Sequence, residues 1–191
     1  MRTVPIALLL ASAVGTFGCQ GKPNAEPSPA PSFQPNASVR EIMQSVVAPS
    51  AQGLWDSVGT ISNAQGTVNL EPKTDADWAA LRRHAIALAE ATNLLMIPGR
   101  HIAPAGAQTL KADEADPGAE LPPDEIEKRV NANWPTWIAM ARALHGSAET
   151  LLRAVDTRSV QGLETDGGEL DAVCENCHLA FWYPPQNTAA K

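Results

Sequence analysis

The chain is poor in several residue types and patterns, and each shortage excludes a class of protein. It carries 14 Lys and Arg against 21 Asp and Glu, a net charge of -7, which excludes the basic footprint that nucleic-acid binding requires. No segment shows sustained period-2 alternation, so no β-sheet is predicted. The histidines outside the C-terminal region stand singly (His84, His101 and His145). A structural zinc site, which needs four ligands, is therefore not indicated.

The N-terminal region lacks an apolar run long enough to span a bilayer, but it contains a shorter one. Arg2 precedes the apolar residues 6–14, and small residues follow them before Cys19, so residues 1–18 are predicted to be a signal peptide. Residues 16–19 resemble the lipobox of bacterial lipoproteins. That resemblance implies lipidation of Cys19 and a periplasmic protein tethered to a membrane. Ordinary secretion to a soluble periplasmic form is the alternative.

The segment that follows is rich in proline. Five prolines fall within residues 21–37, a composition that favours extended conformations over packing. Residues 19–37 are therefore predicted to be a lipidated cysteine and tether, residues 38–185 the folded domain, and residues 186–191 a tail.

Helical signals begin at Ser38. Ser38 and Glu41 have the spacing of a capping box, and an apolar stripe at helical spacing follows as far as Ile61. Pro49 removes a backbone donor, so a kink or break is expected at Ala48. Thr74, followed by two aspartates, caps a second helix that ends at Pro98-Gly99.

Prolines and glycines then punctuate residues 98–123, which predicts a long crossing loop, with a helical turn over Glu125–Val130. Asn133 is expected to cap a third helix, and a fourth is predicted from Val160 to Tyr183. Four amphipathic helices with mostly short connections predict an all-α, up-down-up-down four-helix bundle.

The fourth helix carries the motif CENCH. Cys177 and His178 follow Cys174 by three and four residues, so all three side chains project toward one side of the helix. This is the spacing of covalent haem attachment, in which both cysteines bind the porphyrin and the histidine binds the iron. A thioredoxin-like redox pair would instead lie at the start of a helix that follows a strand. A disulfide over so small a loop would stabilise little.

A single haem motif near the end of the last of four helices resembles the cytochrome c′ family and its low-spin relatives. The resemblance covers residues 38–183, and only CENCH is specific. It implies one covalent haem c near one end of the bundle. Because many members of that family dimerise, a homodimer stays open.

The second axial ligand of the iron decides between two functions. The candidates are Met43, Met96 and Met140, whose calculated heights along their helices are similar. In the family the residue that faces the iron comes from the first helix, a few positions after an arginine, which implies Met43 after Arg40. The usual family spacing, one residue longer, would place Gln44 there.

With methionine on the iron, the resemblance implies a periplasmic electron carrier that is not an enzyme. The acidic composition suggests redox partners with a basic docking face. Arg40, Arg82 and Arg83 are candidates to pair with the haem propionates. The first alternative is a five-coordinate protein that binds nitric oxide or carbon monoxide. The second is a structural bundle without haem, in which the two cysteines form a disulfide.

Overall fold

The computed structural model describes residues 33–108 and 120–184, which are mostly helical with a small two-stranded sheet. The predicted signal peptide, Cys19, most of the tether and the predicted tail lie outside these residues. Across the described ranges, no helix combines the length and apolar character that crossing a membrane requires.

The first helical region is continuous, but its middle part is not a regular α-helix. Helix α1 (Val39–Ile42) leads into a π-helical segment (Met43–Val47) and then into helix α2 (Ala48–Trp55). The predicted capping box is confirmed: Ser38 Oγ accepts from the Glu41 N–H at 3.3 Å, and Glu41 Oε2 accepts from the Ser38 N–H at 2.8 Å.

The irregularity expected near Pro49 takes the form of the π-helical segment. The Ala48 N–H donates to the Met43 carbonyl, five residues back. Proline has no N–H and its ring crowds the carbonyl four residues earlier, and widening the preceding turn relieves both problems without ending the helix. The predicted kink or break at Ala48 is thus replaced by a π-bulge.

The prediction that the helical stripe continues to Ile61 is wrong. The chain leaves the helix after Trp55 and forms a β-hairpin of β1 (Gly59–Asn63) and β2 (Gly66–Leu70), in which Ile61 pairs with Val68. The purely all-α prediction therefore overlooked two strands. Nearly all their residues are exposed, and the alternation of apolar and polar residues lasts only three or four positions in each strand, too short to predict a sheet.

The remaining helices lie close to the predicted positions. They are α3 (Asp75–Leu95), α4 (Pro123–Ala132), α5 (Trp134–Asp156) and α6 (Val160–Phe181). Thr74 and Asp77 form the second capping box. Asn133 occupies the cap position of α5 but makes no side-chain cap, because its amide donates back to the Arg129 carbonyl at 3.0 Å. Helix α4 replaces the single turn that was expected.

The long helices pack on one another around a single apolar core. Helix α3 packs most extensively on α5, and α5 on α6, while α2 contacts both α3 and α6. The largest fully buried side chains include Trp137, Phe181, Leu54 and Leu88. This packing brings the first helical region against the C-terminal half of α6, where the cysteines lie.

Candidate functional site

An apolar cavity lies between α6 and the first helical region. Its volume is about 250 Å³, just below the roughly 300–1,000 Å³ of typical ligand sites. The side chains that line it are Met43, Val47, Ala48, Ala51, Trp55, Leu95, Trp137, Met140, Ala141, Leu144, Val173, Cys174, Cys177 and His178.

Helix α6 supplies the three residues of the CENCH motif. Cys174, Cys177 and His178 all line the cavity, as their spacing on one helix face predicted. Both cysteines are free thiols. Burial raises the pKa of Cys174 to about 11 and that of Cys177 to about 12. The pair therefore lacks the lowered thiol pKa that typifies a redox-active CxxC.

The surroundings of the His178 imidazole favour its neutral form. Burial lowers its pKa, and the carboxylates of Glu175 and Glu120 only partly oppose that effect. Neutral imidazole is the form that binds metals. Within residues 33–108 and 120–184 neither ring nitrogen has a hydrogen-bond partner. The centroids of the Trp182 and Tyr183 rings lie 6.0 and 5.9 Å from the centroid of the His178 ring.

The π-helical segment contributes a thioether to the same cavity. Met43 and Val47 line the cavity, whereas Gln44 is exposed to solvent and does not. The structure thus places Met43, and not the residue that the family spacing implied, at the wall. Single π-bulges inside α-helices are frequent at functional sites.

The three methionines are no longer equivalent in this structure. Met140, near the start of α5, also lines the cavity. Met96 packs against the core but does not line the cavity. Two thioethers therefore share the site with His178.

Small side chains, which the sequence analysis did not single out, make the space. Ala48 and Ala51 lie one turn apart on α2, and Ala141 faces the cavity from α5. The available signal was the alanine at position 51, where a larger apolar residue would continue the stripe. Leucine at such positions would fill the recess.

Two tryptophans complete the walls and are fixed by their ring N–H groups. Trp55 Nε1 donates to the Gly167 carbonyl at 2.9 Å, and Trp137 Nε1 donates to the Leu95 carbonyl at 2.8 Å. Both bonds join separate helices. The cavity is consequently bounded by rigid aromatic rings that keep their polar edges satisfied.

The arginines considered for propionate binding do not line the cavity. Arg40 is buried, and its guanidinium donates to the Gln108 carbonyl at 2.8 Å. Arg82 pairs with Asp156 at 2.8 Å, and Arg83 donates to the Ala79 carbonyl on its own helix. Each of the three therefore has a partner from the protein itself.

The arrangement of Cys174, Cys177 and His178 suits a large cofactor attached at several points rather than a single metal ion. Nowhere in the described part of the chain do three or more His, Cys, Asp or Glu side chains come close enough together to hold a metal ion. The cysteines and histidine are instead spread along one helix face, and the cavity extends from them to Met43 and Met140. These residues fit a haem linked to the helix through both thiols.

No protein-family model, curated protein or solved structure matches the chain.

Proposed function

We propose that the chain is a c-type monohaem cytochrome that carries single electrons and resembles cytochrome c′. In this proposal Cys174 and Cys177 hold the haem covalently, His178 binds the iron on one face and Met43 on the other. The observation that carries the proposal is that all four side chains line one apolar cavity, although Met43 and His178 are 135 residues apart in the sequence. A CxxCH motif alone does not require such a cavity.

The proposal extends to the architecture. We take the first helical region, α3, α5 and α6 as the four helices of an up-down-up-down bundle, with α4 as an addition and the haem near one end. The first region from Met43 to Trp55, the end of α3, the first half of α5 and the end of α6 all contribute to the cavity wall. In a bundle whose helices alternate in direction, the end of one helix lies beside the start of the next in this way.

Each residue of the site has a defined task in this function. Haem, when bound, supplies an iron that gains and loses one electron. His178 offers a neutral ring nitrogen, and a thioether such as that of Met43 favours Fe(II), which raises the reduction potential relative to two histidines. The apolar walls limit the access of water. With a ligand from the chain on each face the site has no place for a substrate, so the function is electron transfer and not catalysis.

We further propose a periplasmic location, with Cys19 lipidated and residues 19–37 as the tether, or a soluble periplasmic form if Cys19 is not lipidated. The net charge of -7 favours redox partners with a basic docking face, whose association weakens as salt rises. A homodimer is compatible with the resemblance to cytochrome c′.

The test of the central proposal is expression together with a haem-attachment system, followed by mass determination and an absorption spectrum. The wild-type chain should carry one haem that survives denaturation and should show a Soret band. The double variant Cys174→Ala/Cys177→Ala should retain no covalent haem. A colourless wild-type preparation with the mass of the bare processed polypeptide would refute the proposal.

The second ligand is tested by three matched methionine variants. The oxidised protein should show a sulfur-to-iron charge-transfer band that disappears in Met43→Ala and persists in Met140→Ala. Met96→Ala is the control, because Met96 lies outside the cavity. Loss of the band in Met140→Ala alone would transfer the role to Met140. A high-spin spectrum that shifts with carbon monoxide in the wild type would favour the gas-binding alternative.

A further inference from the structure

A buried ion pair lies between the two elements that carry the proposed axial ligands. The Arg40 side chain is 9% exposed and that of Glu120 is 15% exposed, with Nη2 of the arginine 3.6 Å from Oε2 of the glutamate. Arg40 Nη1 donates to the Gln108 carbonyl at 2.8 Å. Its Nε and Nη2 make no hydrogen bond within the described ranges. Glu120 is therefore the carboxylate that balances a largely desolvated cation.

On one side, the pair is fixed to Met43. Arg40 precedes Met43 by three residues, just under one turn of the same helical succession. The backbone N–H groups of Val39 and Arg40 donate to the carbonyls of His101 and Ile102, each at 2.9 Å. A displacement of the guanidinium would therefore be passed to the start of the π-helical segment.

On the other side, the pair is fixed to His178. Leu121, the neighbour of Glu120, donates its N–H to the Trp182 carbonyl at 2.8 Å, and the Trp182 N–H donates to the His178 carbonyl at 2.8 Å. Arg129 Nη1 adds a bond to the Tyr183 carbonyl at 3.1 Å. The segment that carries Glu120 is thus attached to the last turn of α6.

We propose that the Arg40–Glu120 pair is a positioning clamp that sets the separation between Met43 and His178. Removal of the Glu120 charge leaves the Arg40 guanidinium buried without that carboxylate, which is strongly unfavourable, so Arg40 moves toward water and draws its helical turn with it. Met43 would then leave its place in the cavity wall. The consequence for iron coordination rests on the proposed function, whereas the displacement of Met43 does not.

The displacement is measured in the chain without haem, by NMR of ¹³C-labelled methionine methyl groups. Glu120→Gln preserves the size of the side chain and removes its charge. We expect the Met43 methyl signal to shift or broaden while that of Met96 stays in place. The matched control is Asp156→Asn, which breaks the exposed Arg82–Asp156 pair and should leave the Met43 signal unchanged.

In the haem-loaded protein, Glu120→Gln should weaken the sulfur-to-iron band and raise the population with a vacant iron face. If that population rises about tenfold, the apparent affinity for carbon monoxide rises about tenfold as well. Arg40→Met in the Glu120→Gln background should restore part of the band, because no unpaired charge is then left buried.

An unchanged Met43 methyl signal in Glu120→Gln would overturn the clamp, as would an equal change in Asp156→Asn, which would indicate general destabilisation. The proposed function fails separately. If the wild type attaches no haem, the methyl signals of the unloaded chain still decide whether the pair positions Met43.

Discussion

The cavity and the β-hairpin are built in different ways. Four helices (α2, α3, α5 and α6) and the π-helical segment supply the walls of the cavity, and nearly all of the lining residues are buried or half-buried. The hairpin comprises residues 59–70, contains no charged residue, and exposes Ile61 and Val68 by 49% and 58%. Its cross-strand side-chain bonds, Thr60 to Asn69 and Ser62 to Thr67, are exposed as well.

This difference predicts where the chain tolerates change. In the cavity, each side chain contacts elements that are distant in sequence, so one substitution disturbs several helices at once. In the hairpin, the partners lie a few residues apart and water already reaches them. Substitutions at the cavity should therefore alter both stability and haem binding, whereas those in the hairpin should alter neither.

The largest effect is expected for Trp137→Ala. The indole is 1% exposed, bonds to the Leu95 carbonyl, and contacts the rings of Phe181 and Trp182 at 5.5 and 6.2 Å. Truncation should lower the free energy of unfolding by about 3–5 kcal/mol, measured by urea denaturation of the chain without haem. A loss below about 1 kcal/mol would mean that this wall is not part of the stabilising core.

A smaller effect of opposite sign is expected for Ala51→Leu. Ala51 is buried and lines the cavity, so leucine should fill empty space and raise the stability of the unloaded chain by about 1 kcal/mol. The same change should prevent haem uptake, measured as Soret absorbance per chain.

The control for this substitution is Ala85→Leu, since Ala85 is fully buried but lies away from the cavity. There leucine should overpack the core and cost about 1–3 kcal/mol. Equal destabilisation in both variants would show that the cavity does not accept added volume.

A modest effect of pH is expected at the helix starts. Bonds from the Thr74 and Lys73 N–H groups lower the pKa of Asp77, and those from the Ser38 N–H and hydroxyl lower the pKa of Glu41. Because both folded-state values are depressed, the stabilisation is complete above the ordinary carboxyl pKa of about 4 and is lost as pH falls through the lowered values.

Asp77→Asn should therefore lower the thermal midpoint at neutral pH, where the ionised carboxylate stabilises the cap, and the difference from wild type should shrink as the pH falls. The measurement is a series of thermal unfolding curves from neutral to acidic pH. If wild type and variant lose stability in parallel, the cap at Thr74 contributes nothing to the acid response.

The smallest effect is expected in the hairpin. Ile61→Thr with Val68→Thr keeps β-branched side chains on the paired strands and replaces only exposed apolar groups, so stability should change by no more than about 0.5 kcal/mol. Haem content should match the wild type. A large loss of either quantity would erase the contrast between the two regions.

Local patterns in the sequence predicted local structure well. The capping box of Ser38 with Glu41 lies where it was predicted, and the predicted cap at Thr74 is also a capping box, completed by Asp77. Cys174 and His178 share a helix face because residues four apart always do on a regular helix. These features depend on hydrogen bonds and spacing within a few residues, which the sequence specifies directly.

Other features were decided only by tertiary packing. Calculated heights could not separate Met43, Met96 and Met140, yet Met96 caps α3 with φ -89° and ψ 1°, outside regular helical geometry, and does not line the cavity. The hairpin was missed because its exposed strands need no apolar face. The sequence determined which groups each helix offers, and the packing between helices determined which of them line the cavity, because that depends on contacts between residues far apart in the chain.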